Sequence, residues 1–413
     1  MLKQIEGSQG VAEAVALCRP DVICAYPISP QTHIVEKLGS LTRQGKIGDC
    51  EYINVESEFA AMSVAIGASV AGARAYTATA SQGLLYMVEA VYNASGLGLP
   101  IVMTVANRAI GAPINIWNDH SDSLSQRDSG WIQIFAETNQ EAADLHIQAF
   151  RIAEELSLPV MVCMDGFVLT HAFERVDIPT QEEVDRFLPA YEPRQELNPN
   201  DPVSIGAMVG PEAFTEVRYL SHMKHLQALE FIPQVAAEFK EIFGRDSGGL
   251  VSTYRCEDAD IRVIAMGSTL GTVKDTVDEL REAGMKIGVI GLKCYRPFPK
   301  EAMAQAMEGA KTVVVLERAL AVGSGGVLTQ DIMTAQKAPS VKRFSVMVGL
   351  GGRAITRASL KKVFRQAEEG KLEELTFMDL DEELVERQLE RERASRKSGP
   401  LPEAMMRDAT MRQ

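Results

Sequence analysis

Glu58 opens a run of small residues, EFAAMSVAIGASV, just after a short apolar stretch, YINV, and the polar pair Glu56-Ser57. The stretch reads as a strand and the run as a helix, so the carboxyl group falls on a first helical turn at the carboxyl end of a strand. Open α/β sheets place their ligands there. A carboxyl group so placed can move a proton or hydrogen-bond a bound ring; equally, the helix dipole favours an acidic first turn by ~0.3–1 kcal/mol with no ligand at all. Arg108 follows a continuous apolar strand and starts a long polar loop, NRAIGAPINIWNDHSDSLSQR. Its guanidinium suits a bidentate grip on a carboxylate. Ser29 lies in YPISPQT, where two prolines hold an extended turn that either presents the hydroxyl to a ligand or uses it in turn chemistry. Asp119, His120, Ser121 and Asp122 gather acid–base and metal-ligand types, but lack the i, i+4 spacing of zinc ligands on a helix. His222 and His225 share a helical face and would need a third ligand to hold a metal.

The elements that must carry these residues alternate. Strands are expected at 22–26, 52–55, 99–106, 132–136 and 159–164, with helices at 32–43, 58–70 and 140–156 between them. Such alternation predicts a doubly wound parallel α/β sheet. The Gly and Ala content of 58–70 predicts a helix packed closely on several faces. From 179 to about 260 the chain is punctuated by proline and reads as a linker or strap, with a helix near 219–243. Alternation resumes at Arg262 and defines a second, smaller α/β unit. The glycine-rich VGSGGV at 322–327 could cradle phosphate, but it fits no phosphate-loop pattern, and close backbone packing accounts for its glycines better. The stretch DLDEELVERQLERERASRK is a charge run, expected to be solvated or to wrap a partner.

Composition narrows the class. With 413 residues, 46% hydrophobic and 24% charged, the chain can bury two cores. Basic residues number 42 and acidic ones 56, a net charge of −14 that argues against nucleic acid or an anionic membrane as partner. No apolar run suits a membrane helix or an export signal, so a cytoplasmic location is expected. Six scattered cysteines without C-x-x-C spacing read as small buried hydrophobes rather than disulfides, zinc ligands or cluster ligands.

Four motifs in order, YPISPQT, ESEFAAMSVAIGA, TATASQGL and ANRAIGAPINIWNDHSD, resemble the alpha subunit of pyruvate:ferredoxin oxidoreductase and related 2-oxoacid:ferredoxin oxidoreductases. GLKCYRPFP and LERALAVGSGG add a likeness to that subunit's transketolase-C-terminal-like domain. The resemblance covers roughly residues 5–370. It implies a pyrimidine-binding thiamine diphosphate domain over 1–180, a linker with a helix over 181–260, a transketolase-C-terminal-like domain over 261–370 and a charged tail over 371–413. By the same resemblance Glu58 matches the glutamate that hydrogen-bonds the aminopyrimidine, and Arg108 the arginine that receives the substrate carboxylate. Ser29 matches a hydroxyl residue, often Thr, beside the substrate, while Pro30 and Gln82 line the cofactor. The implied reaction is oxidative decarboxylation of a 2-oxoacid to acyl-CoA and CO2 with reduction of ferredoxin. No GDG motif for Mg²⁺-diphosphate occurs, so Mg²⁺ and [4Fe-4S] clusters are expected on beta, gamma and ferredoxin-like delta subunits, and no metal on this chain. Pyruvate, 2-oxoisovalerate or another 2-oxoacid all remain open as substrate. A non-redox transketolase-like subunit, a structural subunit and a nucleotide-binding dehydrogenase are the competing readings, and the last lacks a dinucleotide fingerprint.

Overall fold

The structure, a computed structural model, describes residues 1–336, 340–395 and 402–411. The first unit runs β1 (Leu2–Glu6), α1 (Gly7–Leu17), β2 (Val22–Ala25), α2 (Thr32–Arg43), β3 (Glu51–Asn54), α3 (Glu58–Val70), β4 (Ala75–Thr79), α4 (Ser81–Tyr86) and α5 (Val88–Gly96). It continues through β5 (Val102–Asn107), α6 (Ser121–Ser125), β6 (Ile132–Phe135), α7 (Asn139–Leu156), β7 (Val160–Asp165) and β8 (Phe173–Asp177). After α8 (Gln181–Phe187) comes a long helix, α9 (Phe214–Phe243), and then β9 (Val251–Tyr254). The second unit holds β10 (Ile261–Ala265), α10 (Thr269–Glu282), β11 (Ile287–Leu292), β12 (Cys294–Arg296), α11 (Lys300–Ala306) and β13 (Thr312–Glu317). The hairpin of β14 (Leu320–Ala321) and β15 (Gly325–Gly326) leads into α12 (Val327–Ala335), followed by β16 (Lys342–Met347), α13 (Arg357–Glu368) and β17 (Leu375–Phe377). Helices α14 (Glu382–Ser395) and α15 (Pro402–Thr410) follow.

A seven-stranded sheet has the order β12-β6-β7-β5-β4-β2-β3, and a six-stranded sheet the order β17-β16-β13-β10-β11-β9. Both are parallel except for one antiparallel edge strand each, β12 and β9. Strands β5, β6, β7 and β13 are buried along their whole length. Their apolar runs lack alternation because helices cover both faces. The doubly wound α/β architecture expected from the alternation is therefore present twice.

The two sheets share a core. One cluster joins Leu124, Trp131 and Phe135 of the first unit to Ile264, Ile290 and Tyr295 of the second. Strand β12 crosses over: the YRPFP segment begins on the edge of the first sheet, beside β6. Strand β17 lies in the stretch read from sequence as tail and pairs with β16. Three local differences have physical reasons. Strands β1 and β8 pair antiparallel with each other, a two-stranded ribbon whose short pattern carries no readable period. The stretch ATASQG is expected to open a helix that runs through Val91; it gives two helices, α4 and α5, because the Met87 backbone between them (φ −92°, ψ 11°) leaves the helical region. Helix α3, expected to pack on several faces, buries Ala61, Met62 and Ala65 while Phe59, Ser63 and Gly67 are exposed. Its small residues face outward as well as inward. All six cysteines are free and buried. No helix among the described residues is long and apolar enough to cross a membrane.

Candidate functional site

Four neighbouring strands, in spatial order β3, β2, β4 and β5, run parallel and end on one edge of the first sheet. Each delivers a candidate residue: Glu58 after β3, Ser29 and Pro30 after β2, Gln82 after β4, and Arg108 after β5. A parallel sheet does this of necessity, since all its strands point their carboxyl ends the same way.

Glu58 starts α3 because Ser57 caps the helix, its Oγ accepting the Ala60 N–H at 3.2 Å. The glutamate is buried, with 8% exposure. Its carboxylate lies against Gly83, where a Cβ would come within 2.7 Å of Glu58 Oε1 and 2.6 Å of Thr79 Oγ1. Only glycine fits there. The buried Thr79 hydroxyl has no hydrogen-bond partner among the described residues. Gln82 precedes this glycine, and its amide reaches Gly111, where a Cβ would lie 2.5 Å from Nε2.

Arg108 is held in three places. Nη1 donates to the Ser29 carbonyl at 2.9 Å, Nε to the Asn115 carbonyl at 3.1 Å, and the backbone N–H to Asp122 Oδ2 at 2.9 Å. Nη2 makes no hydrogen bond among the described residues. Burial pulls the guanidinium below the ordinary arginine value, against the nearby Asp122 charge. Pro30 packs on Gly166, where a Cβ would meet Pro30 Cγ at 2.5 Å. Gln31 locks the turn from beneath, donating to the carbonyls of Tyr26 at 3.0 Å and Ala78 at 2.9 Å.

Ser29 and Arg108 are thus in direct contact, and Glu58 and Gln82 flank Gly83. Asp122 ties the two groups together. It accepts N–H bonds from Ser81, Arg108, Ser123 and the Asn107 side chain at 2.7–2.9 Å. Burial pushes its carboxyl up to about 6, against those donors, which pull it down. Ser81 takes a left-handed backbone (φ 47°), fixed by Asp122 and by its own hydroxyl bond to the Ala109 carbonyl at 2.5 Å.

The side chains of the Asp119–Asp122 stretch go to separate partners. Asp119 bonds Ser121 and the Gly351 N–H, His120 bonds Asp165, and Asp122 points back into the site. Sequence reasoning missed the hub on the other side of this loop. Asp165, which in the sequence only ends an apolar strand before Gly166, is buried between His120 Nε2 at 2.9 Å and Arg318 Nη1 at 2.8 Å, and also accepts from Ser268. Burial alone would raise its carboxyl; Arg318 and His120 outweigh burial and hold it well below the usual carboxylate range. Gly267 (φ 68°) makes this approach possible, since a Cβ there would sit 3.0 Å from Asp165 Oδ2. The glycine-rich loop before α12 serves packing: a Cβ on Gly326 would meet Glu317 Oε1 at 2.3 Å. Glu317 itself accepts the Leu328 and Thr329 N–H groups at the start of that helix, filling the place a phosphate would need. His225 bonds the Gly130 carbonyl at 2.9 Å, and His222 is exposed.

Fold and site together define an α/β enzyme chain with a ligand edge at parallel strand ends and a second α/β unit docked beside it. Residues 13–237 match the pyruvate flavodoxin/ferredoxin oxidoreductase thiamine-diphosphate-binding model, and residues 259–360 match pyruvate:ferredoxin oxidoreductase core domain II. The chain belongs to this family of thiamine-diphosphate-dependent 2-oxoacid oxidoreductases. It is 48% identical to pyruvate synthase subunit PorA of Methanosarcina barkeri over 92% of this chain and 97% of that protein. It is 41% identical to ketoisovalerate oxidoreductase subunit VorA of Pyrococcus horikoshii over 90% and 96%. A 2-oxoglutarate:ferredoxin oxidoreductase from Magnetococcus marinus shares the fold with a TM-score of 0.67 at 18% identity. That match covers 89% of this chain and 65% of the other, so the chain spans less than two thirds of that protein.

Proposed function

We propose that the chain is the alpha-type subunit of a heteromeric 2-oxoacid:ferredoxin oxidoreductase, with pyruvate as the first substrate to test. The observation that supports this reading is the convergence of Glu58, Gln82, Ser29 and Arg108 on one strand-end edge. The residues fit thiamine diphosphate: Gly83 leaves a Cβ-free surface against Glu58, and the Thr79 hydroxyl beside it is unpartnered among the described residues. When bound, that cofactor supplies a carbon nucleophile and an electron sink for decarboxylation. Glu58 would hold the aminopyrimidine through its ring nitrogen and keep a proton at that atom. Gln82 and Pro30 would shape the pocket wall. Arg108, whose Nη2 is uncommitted, would take the substrate carboxylate and orient its carbonyl, with Ser29 beside it.

Partner chains complete the reading. Phe59, Tyr86, Ile114 and Trp117 are exposed around this edge, with Tyr86 62% and Ile114 78% accessible. Apolar surface beside a polar site favours a covering protein. We assign to a beta subunit the Mg²⁺-diphosphate site, and to gamma and delta subunits the [4Fe-4S] chemistry and the route to ferredoxin, with coenzyme A accepting the acyl group. The likeness to a ketoisovalerate oxidoreductase subunit keeps branched 2-oxoacids as the alternative substrate.

The test is Glu58→Gln in the assembled complex. The variant should bind cofactor and lose C2 proton exchange, measured by NMR, by at least ~10²-fold, the scale of a lost acid–base group. Exchange at the wild-type rate would overturn the assignment.

A further inference from the structure

Behind the strand-end edge, three side chains from separate elements converge on one point. Glu6 ends β1, His33 lies in the first turn of α2, and His171 lies in the turn between β7 and β8. Each offers one ligand atom, and these atoms lie within 4.8 Å of one another; no other such group of His, Cys, Asp and Glu occurs among the described residues. His33 Nδ1 is 2.6 Å from Glu6 Oε1, and the two imidazole rings stand 4.6 Å apart between centroids.

The backbone fixes this arrangement. The N–H groups of Gly7 and Ser8, next to Glu6, bond the carbonyls of Ala172 and Thr170, on either side of His171, both at 3.0 Å. His171 Nδ1 lies 2.7 Å from Thr170 Oγ1, which also accepts the Phe167 N–H at 2.8 Å. In the tautomer where Nδ1–H donates to Thr170, Nε2 carries the free lone pair, the usual way a second group orients a histidine ligand.

We propose that Glu6, His33 and His171 form a binding site for a zinc-class divalent cation, with its fourth position open to solvent. Two imidazoles and one carboxylate suit Zn²⁺, Co²⁺ or Ni²⁺, whereas Mg²⁺ and Ca²⁺ require an oxygen set. Metal–ligand distances of ~2.0–2.2 Å in a tetrahedron place donor atoms about 3.4 Å apart. That value lies between the Glu6–His33 separation and the 4.8 Å limit, within reach of side-chain rotation. His33 can make that rotation, since its side chain is 46% exposed, while Glu6 is held at 12%.

Such an ion would clamp β1, α2 and the turn after β7. That turn carries Gly166, which supports Pro30, and Phe167, whose ring lies 4.8 Å from that of Trp117 and 4.8 Å from that of His171. The ion would therefore position the floor of the strand-end edge without touching the substrate.

The experiment uses the tag-free full chain, stripped with a chelator and titrated with Zn²⁺ by calorimetry and with Co²⁺ by visible absorption. One equivalent should bind, with d–d bands of low-symmetry Co²⁺, and Zn²⁺ should raise the melting temperature. His33→Ala, an exposed substitution that leaves the fold intact, and His171→Ala should each weaken binding at least ~10-fold. His222→Ala, at a distant exposed histidine, should bind like wild type. Equal affinity in wild type and His33→Ala, or no stoichiometric binding by the wild type, would reduce the cluster to a hydrogen-bonded Glu6–His33 pair and overturn the proposal.

Discussion

At the scale of single residues, the proposed site divides tasks between groups that would touch ligand and groups that aim them. Arg108 spends two of its donors on the Ser29 and Asn115 carbonyls, which fixes the plane of the guanidinium and leaves Nη2 at its outer end. A fork held this way loses little freedom on meeting a carboxylate. Arg108→Ala in the assembled enzyme should raise the KM for the 2-oxoacid and lower kcat, with thiamine diphosphate affinity little changed. Loss of a charge-assisted pair in a dry site costs ~2–5 kcal/mol. Steady-state kinetics beside cofactor calorimetry decides the matter: a defect confined to cofactor binding would make Arg108 a diphosphate ligand. The identities of Glu58, Ser29 and Arg108 as candidates were legible because each falls within three residues of the end of an apolar run. Asp122 and Asp165 were not, because their roles come from donors on distant parts of the chain: Ser81 for one, Arg318 and Ser268 for the other.

At the scale of elements, the parallel strands and their helices were legible from apolar runs and helical periodicity; α2 spans Thr32–Arg43, as its pattern predicts. What the local pattern could not carry was pairing. Strand β12 joins a sheet more than a hundred residues upstream, and nothing in CYR distinguishes an edge strand of one sheet from that of the other. The junction between the two units is similarly non-local, and it is polar at its centre. Asp165 receives His120 from its own unit and Arg318 and Ser268 from the other, all three groups buried or nearly so. Asp165→Asn leaves the Arg318 charge buried without its counter-ion, which costs about 3–5 kcal/mol. Because the carboxyl is held well below its unfolded value of ~3.9, the stabilisation is complete above that pH and declines as pH falls beneath it. Urea unfolding should therefore show a large gap between wild type and variant at pH 7, narrowing from pH 4 toward pH 2. A gap independent of pH would mean that the Asp165→Asn substitution disturbs packing rather than charge pairing.

At the scale of the whole molecule, the candidate edge is built from one side only. Glu58, Gln82, Ser29 and Arg108 lie along the ends of four strands, while Tyr86, Ile114 and Trp117 stand exposed around them, Trp117 at 53%. The outer face of α3, Phe59 to Ser63 to Gly67, is exposed, and Gly67 has open space where a Cβ would be. Small residues such as Ser63 and Gly67 let another backbone approach closely, and an apolar rim loses water when covered. On the proposed reading, binding energy for the cofactor's diphosphate end comes mainly from a partner that closes over this rim. The isolated chain should fold, remain colourless, bind Mg²⁺ and thiamine diphosphate weakly, and oxidise no 2-oxoacid. Adding the partner subunits should restore tight cofactor binding, iron–sulfur absorbance and turnover together, because one docking event supplies all three. Calorimetry of the isolated chain is the deciding measurement. Tight binding followed by pyruvate oxidation without partners would show that the chain carries a complete site, and that its exposed rim serves some other contact.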